Sequence, residues 1–179
     1  YMSISKLTKS IDQTKGKSFP PVHLWNPELC IGQEISINRE GDWFYNKSII
    51  KNKKLVNLFS TVLRKDEENY FLVTPTEKVP VKADIAPYMI TNFELLDNQI
   101  LLDTNLDFSF DLNDINTTRL IKYEDAHIPL VHVRSGIEGF FSRNCYYKLI
   151  DLALKKDIIK DNKLYVLSNN IKHLVGKIA

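Results

Sequence analysis

Apolar residues recur at helical spacing in two long stretches of this 179-residue sequence, and these stretches limit the possible folds more than any other feature. In each stretch the apolar residues fall at i, i+3, i+4, i+7 and i+8, which places them on one face of a helix. The first stripe is Leu55, Leu58, Phe59, Val62 and Leu63, and the second is Tyr146, Leu149, Ile150, Ala153 and Leu154. The spacing predicts helices near residues 53–65 and 145–156, with Asn52 and Asn144 as N-caps.

Short apolar or alternating runs between turn residues occupy much of the remaining chain and predict β-strands. They lie at residues 35–37, 43–45, 70–74, 77–89, 93–104, 106–112, 130–133 and 164–168. Pro80 and Pro87 favour an edge position for the strand within 77–89, because proline has no N–H for a central strand. A shorter apolar repeat predicts an N-terminal helix over residues 3–14.

The two halves of the chain show the same order of predicted elements: strand, loop, amphipathic helix, charged turn and apolar strand. A shift of 91 residues places Leu55 on Tyr146 and Phe59 on Ile150. We therefore predict an α+β fold of two lobes, each a small, mostly antiparallel sheet packed on one helix, as a repeated structural motif. The predicted N-terminal lobe covers residues 1–90 and the C-terminal lobe residues 91–179.

Composition and charge argue against several functional classes. The formal net charge of +2 gives little attraction for nucleic acid, which we do not expect as a partner. No window approaches the roughly 20 apolar residues of a membrane span, and the N-terminal residues lack the apolar core of a signal peptide. We expect no membrane association and a cytoplasmic location. The cysteines, Cys30 and Cys145, form no CxxC pair, and the histidines lack partners at ligand spacing, so we expect neither metal nor cofactor.

Four blocks of sequence, in order, resemble the bacterial family catalogued as domain of unknown function 1285. They are PPVHLWNPELC (20–30), GDWFYNKSI (41–49), LVNLFSTVLRKDEENYFLVTPTEKVPV (55–81) and HVRSGIEGFFSRNCYY (132–147). The resemblance implies a two-lobed α+β fold with repeated motifs in a cytoplasmic bacterial protein. It brings no established activity, although a role in signal transduction has been suggested for the family. The chain departs from the family pattern at Lys47 and Ile49, where relatives tend to have Gly and Pro.

Three consecutive aromatic residues begin the second predicted strand. Alternation along the strand places Trp43 and Tyr45 on one face and Phe44 on the other. We predict that Trp43 is buried between its strand and the helix that carries Leu55 and Phe59. In the alternative interpretation, the aromatic side chains and nearby lysines face a ligand or nucleic acid.

The segment LVHVRSGIEGFFSRN (130–144) is a candidate anion site. His132 and Arg134 share one strand face, a glycine-containing loop over 135–142 follows, and Arg143 begins a helix. Arginines and the free N–H groups of a helix N-terminus suit a carboxylate or phosphate. The alternative is structural: Arg134 and Arg143 pair with Glu138 or Asp151 and brace the loop.

A second candidate surface consists of His23, Trp25 and Lys78, which we predict to contact a partner or ligand. His23 and Trp25 share one face of an extended segment. Glu77 and Lys78 face opposite sides of a strand and cannot form an acid–base pair, so we assign no catalytic residue.

These observations favour a non-enzymatic, ligand- or partner-binding regulatory protein. Its partner would be a small anionic ligand or another protein, and the setting in signal transduction comes from the resemblance alone. The alternative is an enzyme that acts on an anionic small molecule through His132, Arg134 and Arg143.

Overall fold

The computed structural model describes residues 4, 7, 8, 11 and 19–178. The chain divides into two compact units, Tyr1–Asp84 and Ile85–Ala179, here called the N-terminal and C-terminal units. Of the helix predicted over residues 3–14, the described residues Ile4, Leu7, Thr8 and Ile11 are helical, and Leu7 and Ile11 are buried. The other residues of that prediction lie outside the described part.

The N-terminal unit contains a six-stranded sheet, and a short α-helix connects the third strand of this sheet to the fourth. Its elements are a 3₁₀-helix at Val22–Leu24, β1 (Ile35–Ile37), β2 (Trp43–Tyr45), β3 (Ser48–Ile49), α1 (Lys53–Ser60), β4 (Leu63–Asp66), β5 (Asn69–Val73) and β6 (Lys78–Ala83). The strand order is β3-β2-β1-β6-β5-β4. Strands β1 and β6 pair in parallel, and the other neighbouring strands of this order pair antiparallel. The sheet is therefore two three-stranded meanders joined through the first and last strands.

Helix α1 begins where the sequence predicts and ends early. The Asn52 side chain caps it, accepting hydrogen bonds from the N–H groups of Lys54 and Leu55 at 3.0 and 3.3 Å. The helix ends at Ser60, and Leu63 already belongs to β4. The prediction of a helix to residue 65 is wrong because residues 63–66 pair with residues 69–72 as a hairpin. The helical spacing of apolar residues does not reveal this strand pairing.

Trp43 is buried at 1% exposure, as predicted, whereas Phe44 on the opposite face is half-buried. Trp43 belongs to a sheet face whose other residues are also largely buried. This face includes Ile35, Ile37, Leu72, Val79 and Val81. The prediction that Trp43 is buried is therefore confirmed, and its packing against the helix that carries Leu55 and Phe59 stays a prediction.

The C-terminal unit contains a second six-stranded sheet, one helix and a separate three-stranded sheet. Its elements are β7 (Tyr88–Leu96), β8 (Gln99–Thr104), β9 (Ser109–Asp111), β10 (Thr118–Tyr123), β11 (Ala126–Arg134), β12 (Ile137–Phe141), α2 (Arg143–Lys155), β13 (Ile159–Lys160), β14 (Lys163–Ser168) and β15 (Ile171–Lys177). The orders are β10-β11-β12-β7-β8-β9 and β13-β14-β15, and β7 and β12 pair in parallel. Ser142, not the predicted Asn144, caps α2 by accepting a hydrogen bond from the N–H of Cys145.

Both six-stranded sheets have the same connectivity, two meanders joined by a parallel pair of first and last strands. The helices are not equivalent in this repeat: α1 connects the third strand to the fourth, whereas α2 follows the sixth. The prediction that the two helices occupy equivalent positions is wrong. Helical periodicity locates a helix along the chain and carries no information about the order of strands in a sheet.

Candidate functional site

The two arginines of the predicted anion site lie at opposite ends of strand β12. The predicted loop over 135–142 is instead a tight turn at Ser135 and Gly136, with φ angles of 49° and 79°, followed by β12. Arg134 pairs with Ile137 at the start of this strand, and Arg143 follows its end. At about 3.3 Å per residue, the strand separates the two backbone positions by roughly 13 Å or more. The structure does not bring the two arginines together through a folded-back loop.

His132 braces this turn with both of its ring nitrogens. Nδ1 lies 3.1 Å from the carbonyl oxygen of Ile115, and the N–H of Gly136 donates to Nε2 at 2.9 Å. The neutral tautomer with the proton on Nδ1 satisfies both contacts. His132 therefore has a structural role in the hairpin, and a ligand would have to break one of these bonds to use the ring.

Arg134, at the end of β11, contacts Tyr88 on β7, which lies beyond β12 in the sheet. Its Nε donates to the Tyr88 hydroxyl at 3.0 Å, and its guanidinium carbon lies 6.0 Å from the centre of the ring. Burial raises the pKa of Tyr88, and the charge of Arg134 opposes this rise. The predicted brace carboxylates have other cations as partners: Glu138 accepts two hydrogen bonds from Arg119, and Asp151 pairs with Lys155.

The second predicted surface is organised by Arg64 and Asp66, neither of which the sequence analysis identified. Arg64 Nη1 donates to the carbonyl oxygens of Val22 and Trp25 at 2.8 and 2.6 Å. Its Nε and Nη2 donate to the two carboxylate oxygens of Asp66, each at 2.8 Å. Lys78 Nζ lies 3.1 Å from the same carboxylate. We call these contacts the Arg64 network.

The Arg64 network connects two of the three predicted surface residues. Trp25 is held through its carbonyl oxygen and Lys78 through its ammonium group, while His23 is exposed in the 3₁₀-helix beside Trp25. The hydrogen bond from Arg64 holds the pKa of Asp66 below its ordinary value, so this carboxylate stays charged between two cations. The helix predicted near residues 53–65 includes Arg64 and ends before Asp66, so it does not reveal the strand face that these two residues share. The Arg-x-Asp alternation was the available signal.

A groove opens beside this network because the chain bulges opposite Pro80. The backbone of Leu29 bridges to Lys78 and that of Ile35 pairs with Val81. Between these two points the first segment advances by six residues while β6 advances by three, so the first segment must bulge. The N–H of Cys30 donates to the carbonyl of Lys78 at 2.8 Å. The backbone groups of Lys78, and of every second residue after it in β6, therefore point toward the bulge. The backbone nitrogen of Pro80, which carries no hydrogen, therefore faces the bulge, where a hydrogen bond between strands is not required. The predicted edge position is wrong, since β6 lies between β1 and β5.

This Pro80 groove has a volume of about 670 Å³ and an apolar floor. Phe71 and Pro80 are paired neighbours on β5 and β6, and both are half-buried. The exposed charged side chains that line the groove are Glu34, Lys47 and Lys82. Among the described residues that line it, none is His or Cys, so a Cys–His pair is not part of this lining.

The tight turn between β2 and β3 forms one wall of the groove. Asn46 and Lys47 both adopt left-handed backbone conformations, with φ of 46° and 73°. The Asn46 side chain accepts from the N–H of Glu34 at 2.9 Å and donates to the carbonyl of Gly32 at 3.3 Å. The turn thus holds the bulge in place, and the departure from the family pattern at Lys47 does not remove it.

Comparison with known families accounts for nearly all of this architecture. The sequence model for the N-terminal domain of DUF1285, a domain of unknown function, matches residues 20–86, and that for the C-terminal domain of the same family matches residues 87–175. The chain belongs to the DUF1285 family. Both the Arg64 network and the Pro80 groove lie within the N-terminal DUF1285 domain, whereas His132, Arg134 and Arg143 lie within the C-terminal one.

Two solved DUF1285 structures resemble the chain. A DUF1285 protein from Silicibacter pomeroyi DSS-3 has a TM-score of 0.85 and 28% identity, and the match covers 99% of this chain and 97% of that one. A DUF1285 protein from Shewanella baltica OS155 has a TM-score of 0.54 and 27% identity over 65% of this chain and 90% of that one. No curated protein matches the sequence. Membership in DUF1285 establishes the fold and leaves the activity open.

Three further features concern the function of this DUF1285 protein. In the described part of the chain, no three His, Cys, Asp or Glu side chains are placed to share a metal ion. Every helix in that part is too short or too polar to cross a bilayer. Burial raises the pKa of the free thiol of Cys145 to about 11, so it is a weak nucleophile at neutral pH.

Proposed function

We propose that this DUF1285 protein is a non-enzymatic binding protein whose N-terminal unit holds a segment of a partner protein in the Pro80 groove. The observation that carries the proposal is the groove itself, an open cleft with an apolar floor. Binding of this kind would fit a regulatory role in signal transduction, which the family resemblance suggests.

The walls of the groove favour a protein partner over a small metabolite. Leu29, which lines it, is 52% exposed, and the adjoining Ile31 is 93% exposed. Exposed apolar side chains next to a cleft are typical of a surface that a partner covers. An enzyme pocket would instead gather several titratable groups around a reacting centre, and the groove offers one carboxylate and two lysines.

The lysines define the partner's chemistry. Lys47 and Lys82 outnumber the single carboxylate of Glu34 in the lining, so the groove carries a small positive excess. We infer that the bound segment combines apolar side chains, which contact Phe71 and Pro80, with at least one carboxylate.

The alternative, an enzyme acting on an anionic small molecule through His132, Arg134 and Arg143, has less support. The two arginines lie at opposite ends of β12, and both ring nitrogens of His132 have partners in the hairpin.

A random twelve-residue peptide library, displayed on phage and selected on the immobilised protein, tests the proposal. We expect enriched peptides that contain both apolar and acidic residues, and fluorescence anisotropy should give saturable binding for them. Ile31→Glu and Lys82→Glu should each weaken this binding by about tenfold, the low end for loss of a charged or well-packed contact. Lys65→Glu, on the opposite face of the sheet, is the matched control and should have no effect.

Two results would overturn the proposal. One is the absence of any enriched peptide that binds saturably. The other is an equal loss of binding in Lys65→Glu and Lys82→Glu, which would indicate general charge attraction. Circular dichroism on each variant shows that the fold is retained.

A further inference from the structure

The C-terminal unit contains a small cavity between the β7–β8 hairpin, helix α2 and strand β14. Its volume is about 220 Å³. Its inner wall is apolar, since it includes Ile100 and Val166, which are 2% and 1% exposed, and the half-buried Leu152. A ligand in this cavity would therefore place an apolar group at its inner end.

Hydrogen bonds between the surrounding elements preform this cavity. The Ser168 hydroxyl accepts from the N–H of Ile100 at 2.9 Å and donates to the carbonyl of Leu112 at 2.7 Å. The N–H of Asn169 donates to the carbonyl of Asn98 at 2.7 Å. The turn between β14 and β15 is thus fastened to the β7–β8 hairpin, and a ligand would not have to order the walls.

The outer part of the cavity carries one charge of each sign. Asp97 and Lys156 both line it and are exposed, and the amide side chains of Asn98 and Gln99 lie in the same lining. Among the described residues, neither Asp97 nor Lys156 belongs to an ion pair. The opening is therefore neutral as a whole and suits a head group that is itself both positive and negative.

The size of the cavity limits the ligand further. It exceeds the roughly 150 Å³ cavity that accommodates benzene, and it is smaller than the roughly 300 Å³ at which pockets for drug-sized ligands begin. A free amino acid with an apolar side chain fits both the volume and the charges.

We propose that this cavity binds a free α-amino acid with an apolar side chain. The side chain lies against Ile100, Leu152 and Val166, the ammonium group faces Asp97, and the carboxylate faces Lys156. This site is separate from the Pro80 groove and does not depend on the function proposed for it.

Calorimetry with L-leucine, L-isoleucine, L-methionine and L-phenylalanine tests the proposal, together with two truncated analogues of leucine. 4-Methylpentanoate lacks the ammonium group, and 3-methylbutylamine lacks the carboxylate. We expect at least one of the four amino acids to bind, and each leucine analogue to bind about tenfold more weakly than leucine, the low end for a charged hydrogen bond. Glycine, which has no side chain, should not bind.

Two variants test which residue binds each charged group of the ligand. Lys156→Gln should weaken the binding of leucine and leave the binding of 3-methylbutylamine unchanged. Asp97→Asn should weaken the binding of leucine and leave the binding of 4-methylpentanoate unchanged. Lys155→Gln, at the neighbouring residue that pairs with Asp151, is the control and should change nothing. The proposal is overturned if none of the four amino acids binds at about 10 mM, an affinity weaker than any useful site. It is also overturned if the analogues bind as well as leucine.

Discussion

Removal of the Arg64 side chain should loosen the segment that carries His23 and Trp25. Arg64→Ala eliminates two hydrogen bonds to the carbonyl oxygens of Val22 and Trp25, at 2.8 and 2.6 Å. These bonds join parts of the chain 42 and 39 residues apart, whereas the pair with Asp66 lies within one strand.

The expected loss of stability follows from these contacts. A hydrogen bond to a charged group contributes about 1.5–3 kcal/mol, and the low end applies because the released carbonyls lie in an exposed segment that water can reach. The Asp66 carboxylate is 35% exposed and keeps Lys78 as a partner, so its ion pair adds only about 0–1 kcal/mol. We expect Arg64→Ala to lower the free energy of unfolding of the N-terminal unit by about 3 kcal/mol.

Tryptophan fluorescence during urea unfolding measures the loss of stability of the N-terminal unit alone. Both tryptophans, Trp25 and Trp43, belong to the N-terminal unit, so the C-terminal unit contributes no tryptophan signal. Limited digestion with chymotrypsin should also cleave at Trp25 faster in the variant, because the segment opens more often. Arg64→Lys, which keeps the charge without the planar fork, should show an intermediate loss.

A clear result would refute this reasoning. If Arg64→Ala unfolds within about 0.5 kcal/mol of the wild type, a typical surface effect, and cleavage at Trp25 is unchanged, the Arg64 network does not hold the segment. Lys65→Ala, on the other face of β4, is the matched control for the loss of one positive charge.

Three further predictions concern single residues. Trp43→Ala should cost about 3–5 kcal/mol in urea unfolding, and Trp43→Phe much less, since the buried indole N–H has no hydrogen-bond partner among the residues that the structure describes; equal losses would contradict this. Lys47→Gly should stabilise the N-terminal unit by about 0.5–1 kcal/mol, because φ of 73° strains a side-chain-bearing residue; a lower urea midpoint would show that strain is absent. Burial lowers the pKa of His173 below 6.5, against a hydrogen bond to Ser168 that raises it. As the pH falls, the unfolded chain therefore binds the proton first. The melting temperature should be constant above about pH 6.5 and fall as the pH drops through this value. His173→Phe should remove this fall, and a fall that persists in the variant would come from another group.

Local pattern alone determined much about this protein. The start of α1, the Asn52 cap, the approximate position of α2 and the burial of Trp43 follow from apolar spacing and cap chemistry, which act over a few residues. The family resemblance likewise rests on four contiguous blocks of sequence. Such features need no knowledge of which strands are neighbours.

The tertiary structure decided the features that depend on pairing between distant segments. Pairing of residues 63–66 with 69–72 ended α1 early and placed Arg64 and Asp66 on one strand face. Parallel pairing of β1 with β6 moved Pro80 to the middle of the sheet, and the bulge opposite it opened the groove. Strand pairing turned the expected loop at 135–142 into β12 and so separated Arg134 from Arg143. Each of these outcomes depends on hydrogen bonds between strands that are remote in sequence, and periodicity within a single segment does not encode which remote strand will supply them.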